Sequence, residues 1–170
     1  MAPDPSAPMK RNTRVARHAQ LDLEHFLPYR LSVLSNRVSG AIARVYSERF
    51  GLGVTQWRVM AVLGRYPGLS ASEVAQRTAM DKVAVSRAVA GLIEAGRVQR
   101  DTHDDDRRRC VLNLSDAGHL IHDEVAPLAL AFQQRLLGGM ADSERELLFR
   151  LLDRLDELEI HAEAEQTVTD

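Results

Sequence analysis

At Gly96 the apolar residues of this chain stop recurring at helical spacing and begin to alternate, and the helical spacing resumes at Ser115. Three helical patterns precede the change, each with its own punctuation. "TQWRVMAVLGRYPG" opens on Thr55 as an N-cap and ends before Pro67. "SASEVAQRT" opens on Ser70 with Glu73 three residues on, a pair that can satisfy two orphan helix N–H groups reciprocally. "DKVAVSRAVAGLIEAG" opens on Asp81, turns Val85, Ala88, Val89, Leu92 and Ile93 inward, and stops at Gly96. Beyond it, "RVQR" and "CVLNLS" predict two short strands, with Leu112 and Leu114 toward one face and "DTHDDDRR" as the tip of the hairpin between them.

Longer helical patterns flank this block. One begins at Pro28, carries Leu31, Leu34, Val38, Ala41, Ile42 and Val45, and is stopped by Gly51. Another runs from Ser115 through Leu120, Ile121, Val125, Leu128 and Phe132 to Gly138; Pro127 inside it should kink it or cost about 3 kcal/mol unless neighbours accommodate the ring. A last helix from Asp142 bears a stripe of Leu148, Leu151, Leu152, Leu155 and Leu158. That stripe is wider than a lone surface helix needs, which points to a second copy of the chain. The first twenty residues are rich in Pro, Ala and basic side chains and read as a disordered arm. Its Lys10, Arg11, Arg14 and Arg17 either touch phosphates or decorate a solvated tail.

The expected organisation is therefore a basic arm over 1–20, an N-terminal dimerisation helix within 21–54, a compact lobe over 55–115 and C-terminal dimerisation helices over 116–165. With 45% hydrophobic but only 5% aromatic residues, the composition suits packed helices better than a β sandwich. The single cysteine, Cys110, excludes an internal disulfide; on a strand without a partner thiol it is a structural thiol or, less simply, an oxidation switch. No apolar run is long enough to span a bilayer and the N-terminus lacks the apolar core of a signal peptide, so the chain is expected to be cytoplasmic and away from membranes.

Charge divides along the chain. Residues 1–54 carry 8 Lys and Arg against 4 Asp and Glu, residues 55–115 carry 10 against 7, and residues 116–170 carry 4 against 13. A basic front and middle with an acidic end suits one surface facing a polyanion, although a solvated acidic helix would give the same C-terminal count.

Three helices followed by a charged hairpin spell a winged helix-turn-helix: a mainly α fold with a small β-hairpin wing. The helix from Asp81 presents Lys82, Val83, Ala84, Ser86 and Arg87 near its N-terminus, the positive end of the helix dipole. Arg87 can meet guanine O6 and N7 with two hydrogen bonds, Ser86 suits a phosphate or a base, and Val83 and Ala84 can touch a thymine methyl. Ser70 and Ser72, at the start of the preceding helix, complete the expected DNA-facing set. In the wing, an arginine entering the narrow minor groove must be held extended, and a neighbouring aspartate can hold it. Asp106 with Arg108 forms the expected pinning pair, with Arg107 or Arg108 itself reaching DNA; the other reading is a surface ion-pair loop of little energetic weight.

"MDKVAVSRAVAGLIEAGRVQR" followed by "DDDRRRCVLNLSDAG" resembles the multiple-antibiotic-resistance regulator (MarR) family of bacterial winged-helix repressors. The family's wing signature is matched by Asp106, Arg108, Leu114, Ser115 and Gly118, and the resemblance extends from about Pro28 to Leu158. One departure is Ala84, where many relatives carry a hydroxyl residue. The resemblance implies a homodimer whose first and last two helices interlock, with the helix from Asp81 as the recognition helix. It also implies release from DNA by a small effector such as an aromatic or phenolic acid. Candidate effector contacts are Tyr29, Arg30, Ser35, Asn36 and Arg37 on the first helix and Trp57 and Arg58 on the second. An arginine beside an aromatic wall is what a planar carboxylate needs, while Trp57 as a core anchor and Arg30 as a solvated helix-start residue are the plainer roles.

Other chemistry finds little support. His119 and His122 share a helix face beside Asp123 at metal-ligand spacing, but no further ligand residues complete a site, so no metal or cofactor is expected. No nucleophile–base motif or phosphate-binding glycine loop supports an enzyme. The expected partners are double-stranded DNA carrying an inverted-repeat operator, a second copy of the chain and a small effector. The competing class is a diverged winged-helix module that uses its leucine stripe to contact another protein.

Overall fold

The structure, a computed structural model, describes residues 21–103 and 106–158, with the backbone alone at 102–103 and 106–109. Six helices and a hairpin follow one another as α1 (Leu27–Phe50), α2 (Val54–Arg65), α3 (Ala71–Thr78), α4 (Lys82–Glu94), β1 (Val98–His103), β2 (Asp106–Leu114), α5 (Asp116–Leu136) and α6 (Asp142–Asp156). The chain divides into two compact units, residues 1–38 and 39–170. The described part of the first holds a turn in which His25 Nδ1 meets Asp22 Oδ2 at 2.8 Å, then the opening turns of α1.

Most helix ends lie where their punctuation puts them. Gly51 stops α1 with φ +61°, its N–H donating to the Ser47 carbonyl at 2.8 Å. Ser70 caps α3: its N–H donates to Glu73 Oε2 at 2.7 Å while the Glu73 N–H donates to Ser70 Oγ at 3.3 Å. Asp81 Oδ1 accepts from the N–H groups of Val83 (2.9 Å) and Ala84 (3.0 Å) at the head of α4, and Gly96 with φ +67° follows its end. One start differs from the sequence expectation. Thr55 lies inside α2, and the cap position belongs to Gly53, whose N–H donates to Gln56 Oε1 at 3.0 Å. The helix thus begins two residues earlier than a Thr55 cap would place it, with the Gln56 side chain accepting from the backbone of the cap residue.

The strands run further toward the hairpin tip than their apolar residues indicate. β1 and β2 pair antiparallel with Val98 opposite Leu114 and Thr102 opposite Cys110, and the register shifts after Thr102. A third segment joins them. The Leu112 N–H donates to the Leu69 carbonyl at 2.8 Å and the Gly68 N–H to the Leu112 carbonyl at 3.1 Å, so the turn before α3 is stitched to the wing strand. A single bridge of this kind has no hydrophobic period, which is why the sequence does not disclose it.

One core joins these elements. Leu63 from α2, Val74 from α3, Val85, Val89 and Leu92 from α4, Val98, Leu112 and Leu114 from the wing root and Val125 from α5 are all buried in it. Each such side chain contributes about 1.5–3 kcal/mol by leaving water. In α1 the fully buried residue is Tyr46, while Leu31 and Leu34 of the expected apolar face stay exposed. α5 continues through Pro127, and α6 buries none of its residues.

The turn from the wing into α5 is the tightest junction. Ser115 Oγ donates to the Gly96 carbonyl at 2.6 Å and accepts from the Gly118 N–H at 3.1 Å, while the Ser115 N–H donates to the Arg97 carbonyl at 3.1 Å. Gly118 lies so close to that carbonyl that an added Cβ would collide with its oxygen. The Arg97 side chain then reaches the end of α1, donating from Nη2 to the Phe50 carbonyl at 2.6 Å. The Leu-Ser…Gly run of the wing signature is accordingly a structural latch.

Candidate nucleic-acid interface

The α4 sequence divides cleanly between two faces. Val85, Ala88, Val89 and Leu92 go into the core, which leaves Lys82, Val83, Ala84, Ser86 and Arg87 in solvent on the first two turns. Val83 is 56% exposed. The Asp81 cap occupies two of the N–H groups at this end and fixes the direction of the first turn. What remains outward is a short row of hydroxyl, methyl and cationic groups with the chemistry needed to read base edges in a major groove. Ser72, on the first turn of α3, is exposed beside it, while the Ser70 hydroxyl is committed to Glu73 Oε2 at 2.7 Å as part of the cap.

The wing leaves the same core. Its root is tied by Asn113, whose Oδ1 accepts from the Gly68 N–H at 2.7 Å and whose Nδ2 donates to Asp101 Oδ2 at 2.9 Å. Both bonds join residues far apart in the chain, so neither is visible as a local motif. Asp106, Arg107 and Arg108 begin β2, and their side chains, like Asp104 and Asp105, lie outside the described residues. The expected Asp106–Arg108 pairing is therefore a statement about residues whose side chains are not described.

Comparison with known proteins decides what this lobe is. The MarR family model matches residues 50–109, the span from the end of α1 into the wing. The HTH-type transcriptional regulator BilQ of Clostridium symbiosum (strain WAL-14163) is 28% identical over 113 residues, which covers 66% of this chain and 77% of BilQ. A MarR/EmrR family transcriptional regulator from Acinetobacter sp. ADP1 superposes with a TM-score of 0.74 at 26% identity, over 80% of this chain and 96% of that one. The chain is similar to MarR-family regulators in sequence over residues 50–109 and in fold over 80% of its length. It is a winged-helix DNA-binding transcriptional regulator. Bordetella bronchiseptica BpsR, whose DNA binding is regulated by 6-hydroxynicotinic acid, shares the fold at 20% identity, with a TM-score of 0.71 over 82% of this chain and 99% of BpsR.

The candidate effector contacts fall into separate settings. Within residues 23–37, Tyr29, Arg30 and Arg37 line an open groove with Glu24 and the apolar Leu23, Leu27, Leu31, Val33 and Leu34. Ser35 and Asn36 are exposed on the same helix but do not line it. Trp57 is 9% exposed and packs between Tyr46 (ring centroids 5.6 Å apart) and His122 (5.9 Å). Arg58, next along α2, donates from Nη2 to Ser39 Oγ at 2.8 Å.

Tyr46 and His122 belong to this cluster without having been singled out for it. Burial pushes the Tyr46 phenol above its ordinary pKa, partly opposed by the positive charge of Arg58. Its hydroxyl has no hydrogen-bond partner among the described residues. His122 contacts Asp123 at 3.3 Å and covers Gly64, where a Cβ would lie 2.5 Å from its Nε2. His122, for which no metal was expected despite its spacing from His119, packs its ring against Trp57. The one clue in the sequence was the glycine at position 64, inside a helix that has no local need for one.

Proposed function

We propose that this protein is a homodimeric repressor that occupies an inverted-repeat operator and leaves it when a small planar organic acid binds. The observation that carries the reading is the exposed row Lys82, Val83, Ala84, Ser86 and Arg87 on a helix whose opposite face is locked into the core shared with the wing root. Such a row, rigidly held beside a hairpin, has the geometry for major-groove entry by α4 and minor-groove contact by Arg107 or Arg108. Pairing of two chains is supported by α6, where Leu147, Leu151 and Leu152 are 47%, 46% and 40% exposed. That much contiguous leucine in water is costly, and a second copy relieves the cost.

Effector release rests on chemistry of a different kind. The groove of Tyr29, Arg30 and Arg37 offers aromatic and apolar walls with two guanidinium groups against the one carboxylate of Glu24, a net positive setting for a carboxylate on a flat ring. Regulation of BpsR by 6-hydroxynicotinic acid is an instance of such a ligand acting on this fold. The test is a titration of DNA against the protein across a range of salt. A regulator that neutralises several phosphates loses affinity steeply, with a logarithmic slope of about −0.9 per phosphate. A salt-insensitive interaction would replace this reading with that of a protein-binding module built on the α6 leucines. Adding 6-hydroxynicotinic or a similar aromatic acid to the bound complex then tests release.

A further inference from the structure

We propose that Arg65 and Arg77, stacked on the ring of Tyr66, form a phosphate clamp that grips the DNA backbone beside the wing. This site rests on the DNA-binding reading and extends it to residues outside the recognition helix and the hairpin tip. Tyr66 closes α2 and remains 40% exposed, although its N–H is fixed to the Val62 carbonyl at 2.8 Å. The Arg77 guanidinium carbon, from the last turn of α3, lies 4.2 Å from the ring centroid, and that of Arg65, from the last turn of α2, lies 5.1 Å away. Both arginines are exposed.

Two features separate this group from ordinary surface decoration. Two positive charges converge on one ring, and among the described residues neither arginine has a carboxylate within salt-bridge distance. Stacking uses the face of a guanidinium and leaves its in-plane N–H donors free, in the forked arrangement that matches phosphate oxygens. The cluster is also attached to the DNA-binding apparatus. Two residues after Tyr66, the Gly68 N–H donates to the Leu112 carbonyl and to Asn113 Oδ1 of β2, at 3.1 and 2.7 Å. Any phosphate held here is thus in fixed register with the wing. Tyr66 is a positioning residue: it pre-orders two long side chains whose immobilisation would otherwise oppose binding.

The ligand is a DNA phosphodiester, contacted without regard to base. The experiment compares full-length protein with the double variant Arg65→Gln, Arg77→Gln and with Arg87→Ala, on an operator fragment and a scrambled duplex, from low to moderate salt. Circular dichroism first checks that each variant is folded. The clamp predicts that the double variant loses about tenfold or more in affinity on both duplexes alike. Its salt slope should also become shallower by about 0.9 for each phosphate contact removed. Tyr66→Leu keeps both charges and should lower affinity a few-fold with the slope retained. Unchanged affinity and slope in the double variant, while Arg87→Ala weakens operator binding, would overturn the clamp and leave the regulator reading intact. A loss confined to the operator would overturn it too, by making these arginines base contacts. Wild-type protein with no salt-dependent DNA binding would remove both the clamp and the reading beneath it.

Discussion

Gly118 shows how a single atom can matter in a sequence signature. It occupies the third position after Ser115, where the backbone of α5 presses against the Arg97 carbonyl and leaves no room for a methyl group. Gly118→Ala should therefore cost about 3 kcal/mol of stability by forcing the wing root and α5 apart, read as a lower urea midpoint. An unchanged midpoint would show that the junction is loose. Tyr46 makes the opposite case. Its phenol is buried and unpartnered among the described residues, and its pKa is raised by that burial. The folded form therefore holds the phenolic proton more tightly than the unfolded chain. Ionisation of this group leaves stability untouched below the unfolded value near 10 and lowers it as pH rises from there through the higher folded value. Tyr46→Phe should raise stability by about 1 kcal/mol at neutral pH and flatten the alkaline loss, which denaturation at two pH values would reveal.

Among the elements, the proposed function gives α4 and the wing different roles in specificity. Arg87→Ala should lose about 1–3 kcal/mol of discrimination between operator and scrambled DNA, measured by competitive titration. Equal losses on both would make Arg87 a phosphate contact. Replacing Arg107 and Arg108 with alanine should reduce operator affinity sharply while leaving the oligomeric state unchanged; full affinity would remove the wing from the interface. These elements were legible from sequence because their signals are local. The Ser70–Glu73 cap, the Asp81 cap and the stops at Gly51 and Gly96 each act within a few residues. The parts that escaped are held by long-range partners. The Leu69–Leu112 bridge, the Arg97–Phe50 bond, the Gly64–His122 contact and the Arg65–Tyr66–Arg77 stack all join elements whose meeting no periodicity announces. Thr55 has the residue type of a cap, yet the helix starts at Val54 behind a Gly53 cap.

On the scale of the whole molecule, the account turns on the leucines of α6. A helix with no buried residue and several exposed leucines gains by covering them with another copy of itself. Leu151→Glu would place a charge in that shared face, and sedimentation should show dimer giving way to monomer; a dimer that persists would locate the contact elsewhere. Two-fold pairing also fixes what the DNA must look like, since two α4 helices about one turn apart, roughly 34 Å, need two half-sites in inverted order. The most direct measurement is a footprint of the protein on the DNA upstream of its own gene. The account predicts two protected half-sites related by inversion, their centres one helical turn apart or a multiple of it, both lost together in Leu151→Glu. Protection of a single unrepeated site, or none at low salt, would contradict it.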